Sequence, residues 1–167
     1  RQPKVGIDYA YYAAINAASS DYVVVWGDDL LIPGSLASIL CALKLGNGNL
    51  ALKLKSDEEG KYSEKAGANH PDIVPFVSVE WLEVVKADPC ILGYISAWVL
   101  PRGHISLETW THHQGSHFFC LAVTADVIRR IPFVFESERP LMLAKPKLPG
   151  VARWYDCIEV FGFAARA

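Results

Sequence analysis

The chain has 167 residues, 51% of them hydrophobic and 20% charged, with a formal net charge of −2. That length suits one domain with a real core, and that composition excludes a disordered chain. The charge balance gives no reason to expect a nucleic acid or an anionic membrane surface as partner.

The four cysteines, Cys41, Cys90, Cys120 and Cys157, each lie in an apolar run, and no two form a CxxC pair. A zinc knuckle or thioredoxin-type motif is therefore not supported; the favoured reading is four free thiols in a reducing, cytoplasmic setting, with two disulfides as the alternative that an even count allows. The longest apolar run, Cys90 to Leu100, falls short of the roughly 20 residues of a membrane span. The sequence opens without methionine, already in a helical pattern. The expectation is a single domain over 1–167, a soluble piece of a longer protein, N-terminally truncated.

In chain order, DYAYYAAINAA (8–18) is rich in alanine and free of Gly and Pro, which predicts a helix. After Ser19-Ser20-Asp21, YVVVW reads as a strand, and its unbroken apolar character predicts a central strand covered on both faces. Gly27, Asp28 and Asp29 follow. Pro33 suits a first helical turn, Leu36, Ile39, Leu40 and Leu43 are spaced as one helix face, and Gly46 supplies a stop.

LALKLK predicts a half-exposed strand, and residues 56–72 a polar surface loop. FVSVEWLEVV (76–85) reads as a strand, or a strand running into a short helix. ILGYISAWVL reads as a buried strand closed by Pro101-Arg102-Gly103. HFFCLAV reads as a third strand, and TADVIRRI as a short helix with Thr124 as N-cap. A proline-rich segment (132–149) leads to a last helix that begins at Asp156.

Two adjacent carboxylates at the end of an apolar strand are costly unless a cation or a proton offsets their charge. Asp is common at helix N-caps and turns, but a cap needs one carboxylate, and this helix starts later, near Pro33. Paired hard oxygen donors suit Mg²⁺ or Mn²⁺ carrying a substrate's phosphates. His112, His113 and His117, with His104 nearby, form an HHxxxH cluster. Gly115 and Ser116 prevent one helix from aligning it, so polar or substrate-contacting roles compete with metal ligation. Trp110, Trp154 and Tyr155 suit either core packing or stacking on a sugar ring. Asp156 with Glu159 also fits a capping-box helix start.

The stretch DYAYYAAINAASSDYVVVWGDDLLIPGSLASILCALK resembles the middle of a family 2 glycosyltransferase of the GT-A type. These share an Ala- and Asn-containing helix, a short break, a hydrophobic strand, an acidic DXD-type motif and a leucine-spaced helix. Gly27 stands where the motif has its first Asp. The resemblance implies an α/β fold, a GT-A-like mixed sheet flanked by helices. It implies transfer of a sugar from a nucleotide-diphosphate sugar, with Mn²⁺ or Mg²⁺ as cofactor. The acceptor would be a glycan, a lipid-linked or a small molecule. Asp29 would be the main metal contact and Asp28 would assist at the metal or the ribose. His117 is the candidate for a histidine in the metal shell. RWYDCIEVFGFAARA resembles the segment whose acidic residue deprotonates the acceptor, which makes Asp156 the candidate base.

Two rival readings use the same residues. YVVVWGDDLL also resembles the GDD hairpin of viral RNA-dependent RNA polymerases, but the preceding residues lack that palm's Ser/Thr-Gly and Asn helix. The other is a non-catalytic, degenerate glycosyltransferase-like binding domain.

Overall fold

The computed structural model describes residues 6–24, 30–57, 76–80, 82–83, 86, 98–116, 119–131, 133–137 and 140–143. The architecture is mixed α/β. Helix α1 spans Ile7–Ala17, strand β1 Tyr22–Val24, strand β2 Leu30–Leu31 and helix α2 Ser35–Gly46. Strands β3 (Leu50–Lys53), β4 (Ser56–Asp57), β5 (Phe76–Val79) and β6 (Trp98–Pro101) follow. One turn of 3₁₀ helix (Arg102–His104) leads to the short helix α3 (Thr109–His113) and to α4 (Phe119–Arg130). Strands β7 (Phe133–Ser137) and β8 (Met142–Leu143) complete the described elements.

Five strands form the larger sheet in the order β1-β6-β3-β7-β5. β3 and β7 are parallel, and the other three pairings are antiparallel. Two antiparallel steps make β1 co-directional with β3, so β1, β3 and β7 send their carboxyl ends the same way. A second sheet has the order β2-β8-β4. Its strands follow β1, β7 and β3 along the chain, so the three co-directional strands each give way to a strand of the small sheet. Backbone bonds from Ile32 N to Leu141 O (3.0 Å) and from Leu141 N to Lys55 O (2.8 Å) extend that sheet.

The core lies on the larger sheet and under α4. Trp98, Leu52, Phe119, Leu121, Val127, Ile128, Leu141 and Met142 are all essentially inaccessible to solvent. Side chains of successive strand residues point to opposite faces. All four residues of β3 are buried, so both faces of this central strand are covered. That differs from the half-exposed strand expected of LALKLK. Lys53, on the face opposite Leu50 and Leu52, is only 9% exposed.

β1 also departs from expectation. It ends the strand order instead of occupying the centre, and Tyr22 and Val23 are half-buried while Val24 is 41% exposed. It is held by polar contacts. The Tyr22 hydroxyl donates to Leu43 O (3.4 Å) and accepts from Gly48 N–H (3.0 Å), which ties β1 to the end of α2. Asp21 O accepts from Arg102 N–H (2.7 Å).

The strand expected over HFFCLAV is, from Phe119 onward, part of α4, which runs unbroken to Arg130. Thr124 sits inside the helix, its hydroxyl donating to the carbonyl of Cys120 (2.9 Å) rather than capping a new start. The first six residues of α4 are all buried. A helix buried all round gives the same continuous apolar run as a buried strand. The proline-rich segment yields two strands, β7 and β8, that were not expected.

The predicted helix after Pro33 exists, and of its predicted inward face Ile39 and Leu43 pack against the core while Leu36 and Leu40 do not. Ser35, Ser38, Ile39 and Ala42 are buried, whereas Leu36 and Leu40 are 57% and 50% exposed. The turn from α2 into β3 is tight: a Cβ added at Gly46 would stand 2.2 Å from Leu50 Cβ. The helix stops one residue later, at Asn47 in the left-handed conformation (φ 44°) followed by Gly48 (φ 84°). Gly46→Ala is expected to lower stability by about 1–3 kcal/mol through overpacking, as read from urea unfolding. An unchanged midpoint would show that the α2–β3 contact relaxes freely.

Candidate functional site

The acidic pair Asp28–Asp29 lies in residues 25–29, outside the described residues, as do His117 and Asp156. What the structure describes is the frame on either side of the pair: β1 ends at Val24 in the larger sheet, and β2 begins at Leu30 in the smaller one. Ile32, 1% exposed, anchors the chain before α2 begins. Trp154 and Tyr155 also fall outside the described residues.

His104 Nε2 is 3.1 Å from Asn49 Oδ1. His112 and His113 end α3, and Ser116 closes the turn by donating its hydroxyl to His113 O (2.7 Å). Among the described residues, no group of three or more His, Cys, Asp or Glu side chains is placed to hold a metal ion. Trp110 is a packing residue. It stacks on Tyr12 with ring centroids 4.8 Å apart and meets Phe119 edge-on at 5.3 Å.

Sequence reasoning missed the most consequential titratable group, Asp8. It is 2% exposed, on the same side of α1 as buried Ile15 seven residues on. Its Oδ1 accepts the backbone N–H of Phe119 at 3.2 Å, so a carboxylate from α1 satisfies an orphan donor in the first turn of α4. The positive end of the α4 dipole favours that placement. The available signal was an acid on the apolar stripe of an otherwise uncharged helix.

Several ionisable groups share this environment. Burial pushes the Cys120 thiol up to about 12, with neighbouring Asp8 adding to the rise and backbone N–H groups of Leu121 and Cys120 opposing it. Burial, then Cys120 and Asp8, also raises the Tyr11 phenol to about 12. Both groups are neutral at physiological pH. Cys41 and Cys120 are free thiols.

A groove of about 600 Å³ runs between α3 and α4. Glu108, His112 and His113 stand on one side, and Asp126, Arg129 and Arg130 on the other. Arg130 pairs with Asp126 one turn earlier and donates to His104 O (2.8 Å). The four formal charges therefore cancel, and the floor of Ala122 and Ala125 is small-sided.

No family model, curated protein or solved structure matches the chain.

Asp8→Ala strands a buried N–H at the head of α4 and is expected to cost about 1–3 kcal/mol, with Asp8→Asn, which keeps an acceptor oxygen, costing less. Equal losses for both variants in urea unfolding would mean that charge, not the hydrogen bond, matters. Burial and then the neighbouring His112 lower the His113 pKa below 6.5, with Asp8 pulling the other way. The unfolded chain then takes up a proton at higher pH than the folded one. Stability is accordingly full above about pH 6.5 and declines as pH falls toward the depressed folded value. Replacing His113 with Gln should flatten the stability profile between pH 7 and 5; an unaltered slope would assign the dependence to another group.

Proposed function

We propose that this chain is the catalytic part of a GT-A-type, family 2-like glycosyltransferase. It transfers a sugar from a nucleotide-diphosphate sugar to an acceptor hydroxyl with Mn²⁺ or Mg²⁺. One observation carries the reading. β1, β3 and β7 are co-directional, and Gly27-Asp28-Asp29 follow the carboxyl end of β1. In open α/β sheets, ligands bind at the carboxyl ends of the strands. The order helix, strand, acidic pair and leucine-containing helix corresponds to α1, β1, residues 25–29 and α2, with β2 intervening before α2.

The donor set fits a hard divalent cation, since two adjacent carboxylates supply oxygen ligands and His117 would add an imidazole. The cation would neutralise charge on the departing diphosphate. Asp29 is its main protein contact, and Asp28 assists there or at the ribose. Asp156 accepts the proton of the acceptor hydroxyl as that oxygen attacks the anomeric carbon.

Calorimetry of nucleoside diphosphate binding, with and without Mn²⁺, tests the first half of the proposal. Binding should require Mn²⁺ and weaken at least about tenfold, roughly 1.4 kcal/mol, in Asp29→Ala. Metal-independent binding, or binding indifferent to the substitution, would refute the metal bridge. Asp156→Asn should abolish sugar transfer while donor binding persists, and retained turnover would remove Asp156 as the base.

A further inference from the structure

We draw no further inference here: the strongest candidate, the leucine-lined outer face of α2 with the preceding strand β2 (Leu30, Leu36, Leu40 and Leu45 exposed), carries nothing because the structure does not show what covers it.

Discussion

The buried carboxylate of Asp8 is the constraint around which the described half of the core is arranged. A carboxylate 2% exposed is tolerable only where donors meet it, and the head of α4 provides one. The bond joins residues 111 positions apart and fixes α1 across the start of α4. Phe119 is thereby held between the Asp8 contact on its backbone and the Trp110 and Tyr12 rings on its side chain. From that point α4 lays six consecutive buried residues into the core. The raised pKa values of Cys120 and Tyr11 follow from the same burial, because a desolvated site next to a carboxylate disfavours a second negative charge.

This arrangement explains which parts of the fold were legible. α1 and α2 were visible because composition and spacing speak locally, and their limits fell within a residue or two of expectation. The strand character of Tyr22–Val24, Phe76–Val79 and Trp98–Pro101 was visible for the same reason. α4 was misread because its start signal is not local: the group that satisfies its first turn arrives from α1. The position of a strand in the sheet was equally hidden. β1, expected at the centre, ends the strand order, and Leu-Ala-Leu-Lys at β3, expected to be half-exposed, is buried in the middle of the sheet. An apolar run reports hydrophobic surface but not which neighbours cover it.

The inward face of α2 makes a related point. Spacing selected Leu36, Ile39, Leu40 and Leu43; Ile39 is buried and Leu43 packs against the core, but Ser35, Ser38 and Ala42 point inward where Leu36 and Leu40 were expected. Leu36, Leu40 and Leu45 are left outside, and a helix with apolar residues on both sides carries a partly unsatisfied surface.

For the candidate site, the sequence singles out residues by type and is silent about their assembly. The acidic pair stands out by its setting alone, a run of Val and Trp before it and Leu-Leu-Ile after it. The topology adds a reason for that setting. Three co-directional strands each hand over to a short strand of the second sheet, and the residues that bridge β1 to β2 contain Asp28 and Asp29. A link between two sheets is held at both ends by backbone pairing, β1 to β6 and β2 to β8. Its ends are therefore fixed by hydrogen bonds that do not depend on what occupies the link. Such anchoring holds the ends of the link whatever the charge on Asp28 and Asp29, so a cation or a proton that offsets that charge need not also order the strands.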